Sequence, residues 1–302
     1  MENRTSHAER SGLRELRAQL ESLGQIYLRL DIASKIALWF IVIIHVVAFA
    51  APLIAPYEPA QEHYEASLQG PSLEHPLGTD LTGRDVLSRI IYGARISLLV
   101  GIVAVGTAVF FGTLLGSIAG YVGGWIDETI MRTMDIIISV PVLVLALALV
   151  GAVGPSLTNI ILIIGFVYTP QYARLMRGSV LSTKENEYVE AARGTGLSSA
   201  AVLGKHVVPN SITPVVVQAT YHVATAIILE SSLSFLGIGI QPPTPSWGGM
   251  IADGRQYLPS EWWITTFAGL MIMITVLAFN IIGDGLRDVI DPETETRGGG
   301  AA

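Results

Sequence analysis

The chain has 302 residues, of which 51% are hydrophobic and only 14% charged, against about 25% charged in an ordinary soluble domain. With a mean hydropathy of +0.53, that composition places it in the membrane class before any window is drawn. The net charge of −7 argues against nucleic acid as a partner, and the absence of cysteine excludes a disulfide framework and a thiolate metal site.

Residues 1–33 are polar and predicted helical. Leu13, Leu16, Leu20, Leu23, Tyr27 and Leu30 recur at alternating three- and four-residue steps, a heptad-like stripe. Such a cytoplasmic amphipathic helix packs on a partner subunit or lies on the inner membrane face; a lead-in with no specific partner fits the pattern equally well. Crossing the hydrocarbon takes about 20 largely apolar residues, and six windows qualify: 34–54, 96–120, 130–153, 157–177, 212–236 and 263–283. Ala48-Phe49-Ala50 has the form of a signal-peptide cleavage site. The leader before it is too long for a usual n-region and Pro52 follows at once, so the first span is expected to be retained.

The basic residues set the orientation. With the amino terminus inside, the cytoplasmic side carries Arg4, Arg10, Arg14, Arg17, Arg29, Lys35, Arg132, Arg174, Arg177, Lys184, Arg193, Lys205, Arg287 and Arg297. The outside carries only Arg84, Arg89, Arg95 and Arg255. That asymmetry predicts that both termini, with the tail 291–302 and the segment 182–210, are cytoplasmic.

Residues 55–95 form a long external segment that opens on Pro52, Pro56 and Pro59 and carries Glu58, Glu62, Glu65 and Glu74. Gly78-Thr79-Asp80 and Gly83-Arg84-Asp85 read as turns rather than as a catalytic pair. In the second span Ala104, Ala108, Gly112, Gly116 and Gly120 stand four apart, a small-residue stripe that permits close helix packing in lipid. Pro141 and Pro170 predict kinks in the third and fourth spans. The fifth is the most polar, with Gln218, Thr220, Tyr221, His222, Thr225 and Glu230. Ionisable groups at membrane depth face a bundle interior or a wet cavity, so Gln218, His222, Thr225 and Glu230 are candidates for lining a translocation path. Satisfying interhelical hydrogen bonds is the competing role for His222 and Glu230. Beyond it, Pro242, Pro243 and Pro245 forbid a regular helix before Gly248-Gly249.

The polar stretch 182–210 has no use as an anchor. Glu190-Ala191-Ala192, Gly196 and Pro209 fall at the spacing EAA-x3-G-x12-P. Ser182 and Glu185 have capping-box spacing for a first helix, which the Gly194-Thr195-Gly196 stretch would end; Ser198 would cap a second, and Pro209 would stop it. The product is a bent, exposed helical pair suited to a groove in another protein, although a plain helix-loop-helix linker would share that local pattern.

This segment resembles the "EAA loop" of the permease subunits of bacterial ABC importers, with His206 and Val208 where the family pattern carries Ile and Leu. The strings HPLGTDLTGRDVLSRIIYGARISL (75–98), SLSFLGIGIQPPTPSWGGM (232–250) and LAFNIIGDGLRDVIDP (277–292) are similar to the second permease type of the dipeptide, oligopeptide, glutathione and nickel importers. The four motifs stand in the family's order over 34–292. The resemblance implies an all-α polytopic fold of the type I, MetI-like permease class, with a core over 96–290. Glu190 would touch the ATPase surface, Ala191 and Ala192 would let it approach closely, and Gly196 would be the bend. It also implies a homologous second permease, two ATP-binding subunits and an external substrate-binding protein as partners.

No chemistry of its own is legible in the chain. A P-loop needs a glycine-rich turn ending in Gly-Lys-Ser/Thr, whereas the single Gly-Lys pair, Gly204-Lys205, is followed by His206. ATP and Mg are therefore expected on the partner subunits, with no cofactor on this one. The histidines, His7, His45, His63, His75, His206 and His222, show no metal-ligand spacing. The rival classes are an intramembrane enzyme using Asp135 or Glu230 and a self-sufficient secondary carrier. The first would want a paired carboxylate or a Ser/His couple at matched depth, and the second has no use for an EAA segment.

Overall fold

A computed structural model describes residues 24–290. Its helices are α1 (Ile32–Phe49), α2 (Val86–Val122), α3 (Gly124–Ile138), α4 (Val142–Val153), α5 (Leu157–Thr183), α6 (Glu187–Gly194), α7 (Ser199–Ser211), α8 (Thr213–Phe235), α9 (Trp247–Gly254) and α10 (Trp263–Ile290). Among the described residues there is no strand, only an isolated antiparallel bridge between Thr79 and Asp85. Residues 24–29 are helical; of the amino-terminal stripe, Leu13, Leu16, Leu20 and Leu23 lie outside the described residues, as does the tail beyond Ile290.

Three helices, α1, α2 and α10, are each long and apolar enough to cross a membrane. The pairs α3–α4 and α7–α8 also pass if each bent pair is one span. The bend between α3 and α4 is 88°, with Pro141 at the cap of α4; that between α7 and α8 is 56°, with Pro214 in the first turn of α8. At 27 residues α5 is about 40 Å long, and it carries Arg174 and Arg177 in its last three turns. Pro170 does not end it. Its missing N–H leaves the carbonyl four residues earlier without its usual partner.

The centre of the fold is the parallel packing of α2 on α5, in which Ala104 and Thr107 meet Gly165 and Gly120 meets Arg177 and Val180. The expected stripe is buried there, with Ala104 and Ala108 at 0% exposure. A Cβ at Gly116 would stand 2.3 Å from the Ala173 carbonyl oxygen, and one at Gly112 would be 2.4 Å from the Tyr172 Cβ. Gly165 reciprocates from α5 against Thr107 and the Ala104 carbonyl. Backbones that approach so closely gain dispersion contacts that lipid tails cannot replace. At the carboxy-terminal end of this pair, Arg177 makes a two-bond pair with Asp127 of α3, at 2.5 and 2.6 Å. α8 crosses α2 at Gly101, against Val223 and Ile227, and α10 closes on α8, where Gly283 faces Thr220 and Tyr221.

Helix α2 begins well before the apolar window, because Asp85 caps it at the Ser88 N–H, 2.7 Å away. The residues before it form a polar knot. His75 Nδ1 lies 3.0 Å from Asp85 Oδ1. Asp80 accepts from the Thr82 and Arg84 amides and pairs with Arg84 Nε at 2.7 Å, with Arg89 Nε at 3.5 Å. Arg89 then reaches Asp253 of α9 at 3.3 Å. Burial holds the Asp253 carboxyl above its usual range, and Arg89 and Arg84 oppose that shift. Gly78 and Gly83, at φ +79° and +76°, make the two expected turns.

Two local expectations need correction. Ser182 and Glu185 form no capping box, since α5 runs through Thr183 and the next helix is capped by Asn186 without a side-chain bond. Nor does Pro209 stop its helix. Leu203–Val207 widens to a π-helical turn and the helix continues through Pro209 to Ser211, because a widened turn accommodates a residue that has no N–H to give.

Gly116→Leu should lower the thermal unfolding temperature of the detergent-solubilised protein by an amount matching an overpacking cost of about 1–3 kcal/mol or more. Gly106→Ala, on the same helix with nothing within 4 Å of the new Cβ, should leave that temperature in place. Asp80→Ala strands two buried guanidinium groups with one carboxylate, and should cost about 3–5 kcal/mol, read as loss of the trypsin-resistant folded form.

Candidate functional site

The segment after α5 folds back as the bent pair foreseen. α6 buries Val189 and Ala192 and exposes Glu187, Glu190 and Ala191. Two acidic residues in its first turn complement the positive end of the helix dipole. Gly196 turns the chain at φ +82°, a conformation that costs an L-residue of order 1 kcal/mol or more. A Cβ there would meet nothing within 4 Å, so the requirement is for backbone conformation and not for space. Ser198 then caps α7 by accepting from the Ala201 N–H at 3.3 Å.

This elbow is pinned at several points. The Arg193 guanidinium lies 5.3 Å above the Tyr121 ring at the end of α2. Lys184 Nζ donates to the Gly120 carbonyl at 2.8 Å. At the far end, Ser211 Oγ donates to Thr183 Oγ1 at 2.9 Å, which closes the segment on itself. The inner side is thus held to the ends of α2 and α5, and the outer side is free. That outer side carries Glu190, Ala191, Gly196 and Pro209, all exposed. It also carries Tyr188, 45% exposed, and Leu197, 41% exposed. Sequence reading missed these two, because an apolar residue in a short helix gives no sign of facing outward.

The four candidates on α8 do not form one cluster. Thr225 is exposed and Gln218 half-buried, on a face that runs through 214, 218, 221, 225, 228 and 232. His222 is buried against α5, stacked on Tyr168 at 4.8 Å and edge-on to Tyr172 at 5.0 Å. Gln218 Nε2 approaches His222 Nε2 at 3.0 Å. If the amide donates, the ring proton sits on Nδ1, and that atom is buried without a partner. Glu230 is wholly enclosed near the carboxy-terminal end of α8, where it accepts from Ser234 Oγ at 2.7 Å and Ser246 Oγ at 3.2 Å. His222 and Glu230 therefore have internal partners, and Gln218 and Thr225 face outward. Asp135 is paired with Arg174 at 2.6 Å and is not brought to Glu230. Among the described residues, no group of three or more His, Asp or Glu side chains is arranged to hold a metal ion.

Residues 112–296 match the model of the family described as "Binding-protein-dependent transport system inner membrane component", and residues 28–71 match "N-terminal TM domain of oligopeptide transport permease C". The chain is similar to a dipeptide transport system permease protein of Alkalihalophilus pseudofirmus, at 45% identity over 87% of this chain and 88% of the relative. It is equally similar to the dipeptide transport system permease protein of Escherichia coli K12, at 45% identity over 88% of this chain and 91% of the other. Among solved structures, an inward-facing form of the MetNI methionine ABC transporter aligns with a TM-score of 0.52 at 18% identity, covering 67% of this chain and 96% of that one. That likeness shows a common permease fold. With its matched segments spanning both the amino-terminal region and the helical core, the chain belongs to the family of binding-protein-dependent transport system inner membrane components.

Proposed function

We propose that this chain is one transmembrane subunit of an ATP-driven importer and forms half of a path that carries di- or oligopeptides inward across the cytoplasmic membrane. The cargo reading rests on its relatives, which are named as dipeptide transport permeases, and they favour peptides over the nickel and glutathione alternatives. The complete assembly comprises a homologous second permease, two ATP-binding subunits and an external binding protein. ATP and Mg belong to those ATP-binding subunits, and this chain carries out no chemistry of its own. Counting α5 and the two bent pairs, six spans cross the membrane with both termini in the cytoplasm, in agreement with the basic residues gathered at that side.

One observation supports the coupling role above the rest: the elbow is pinned to α2 and α5 on one side and bare on the other. A segment fixed to the bundle and open outward transmits a push as displacement of the helices that hold it. Glu190 offers a charge to the ATPase surface, Ala191 allows close approach, and Tyr188 and Leu197 add apolar contact; Ala192, expected beside them, is instead buried on the side held to the bundle. Gln218 and Thr225 lie on the face of α8 that would line the path; His222 and Glu230 support that helix from behind. The intramembrane-enzyme reading loses its basis, because Asp135 and Glu230 are engaged by separate partners.

Gly196→Asp places a Cβ and a charge at a left-handed position, and should preserve membrane insertion while lowering ATP-driven dipeptide uptake about tenfold or more, a loss of about 1.4 kcal/mol in coupling. Uptake at the unchanged rate would contradict the role given to the bend. Removal of the ATP-binding subunits should abolish accumulation of a labelled dipeptide in cells; persistence would mark a self-sufficient carrier.

A further inference from the structure

Helix α8 begins at the elbow and ends at the outer face, and near its outer end it carries a carboxylate that meets no cation. Glu230 is 0% exposed, and the ion pairs among the described residues do not include it. Its oxygens accept from Ser234 at 2.7 Å, Ser246 at 3.2 Å and Ser231 at 3.5 Å. Two of these serines have a second task. Ser246 Oγ accepts from the Gly249 N–H at 3.1 Å and so caps α9, and Ser234 Oγ accepts from the Ile240 N–H at 3.3 Å. A hydroxyl has one proton and two lone pairs. Once that proton is committed to Glu230, the lone pairs are turned to the backbone amides. One carboxylate thereby orders the turn at Ile240 and the start of α9.

The same outer helix is pressed directly onto α8 and α2. A Cβ at Gly248 would stand 2.5 Å from the Ser231 Cα. Trp247, fully buried, donates its backbone N–H to Ser97 Oγ at 3.3 Å and its Nε1–H to the Ile90 carbonyl at 3.1 Å. At 23 residues, α8 is a rod of about 34 Å, with the elbow at one end and this serine cage at the other.

We propose that Glu230 is a positioning residue that makes α8 and α9 one rigid body, so that a push on the cytoplasmic elbow arrives at the outer mouth of the path as displacement of α9. This rests on the elbow being the point of input, as argued above. The carboxylate touches no cargo; its effect is to keep the outer helix from lagging behind the rod.

The chain has no cysteine, so Gln256→Cys, in the exposed turn after α9, gives a single thiol for a membrane-impermeant maleimide. The chain is expressed with its partner subunits, and labelling is compared between nucleotide-free and vanadate-trapped transporter. With Glu230 in place the rates should differ about tenfold between the two states. In Ser246→Ala and Glu230→Ala they should agree within about twofold while ATP hydrolysis continues and uptake falls about tenfold. Glu230→Gln, which keeps an acceptor oxygen, should retain a state-dependent rate. State dependence undiminished in Ser246→Ala and Glu230→Ala would overturn the proposal, as would labelling indifferent to nucleotide in a transporter that still imports. Uptake that needs no ATP would instead sink the importer reading itself. If Glu230→Ala fails to assemble, Ser246→Ala decides, since it leaves the carboxylate and Ser234 in place.

Discussion

Lipid offers helices neither a hydrophobic driving force nor a hydrogen-bonding solvent, so whatever orders this bundle has to come from contact distance. The packing of α2 on α5 supplies it. With Gly112, Gly116 and Gly120 on one helix and Gly165 on the other, main chains rather than side chains meet at the seam. That closeness places Tyr121 and Gly120 where Arg193 and Lys184 can reach them, so the elbow inherits its position from a row of absent side chains. It also sets Tyr168 and Tyr172 against His222, which fixes how α8 is turned about its axis.

Polar groups inside the chain follow one logic at both ends. At one end, Asp80, Arg84, Arg89 and Asp253 balance as two acids and two bases, and they join the turn before α2 to α9. At the other, Arg177 with Asp127 and Arg174 with Asp135 tie α5 to α3. Arg89 with Asp253, Arg177 with Asp127 and Arg174 with Asp135 bridge elements far apart in sequence, and a buried partner would be costly to leave alone. Hydroxyls do the corresponding work where no base is at hand, as around Glu230.

Much of this was legible in the residues. The small stripe at fixed four-residue steps can mean little except a packing face, and Gly196 has the residue type that a left-handed bend demands. Composition placed the chain in the membrane, and period and length located its apolar windows. The reading failed where local signals compete. Ser182 and Glu185 have cap spacing, yet helix propagation from α5 runs through Thr183, since one more hydrogen bond per residue outweighs one cap. Pro209 reads as a stop, but the preceding turn widens to admit it. The division among the α8 candidates could not be read at all. A histidine and a glutamate look alike to hydropathy whether they face a channel or a neighbour, and only the neighbours, Tyr168 and Ser246, tell them apart.

The widened turn at Leu203–Val207 has a mechanical meaning of its own. A π-turn holds one residue more than the α-helix around it, which rotates everything downstream by about 100° relative to an unbroken helix. Val208–Ser211 and the start of α8 therefore owe their facing to a single surplus residue. Relaxing that turn to ordinary pitch would screw the root of α8 around its own axis without breaking a covalent bond or shearing the bundle. Torsion at the root of α8 is thus available from one turn of backbone.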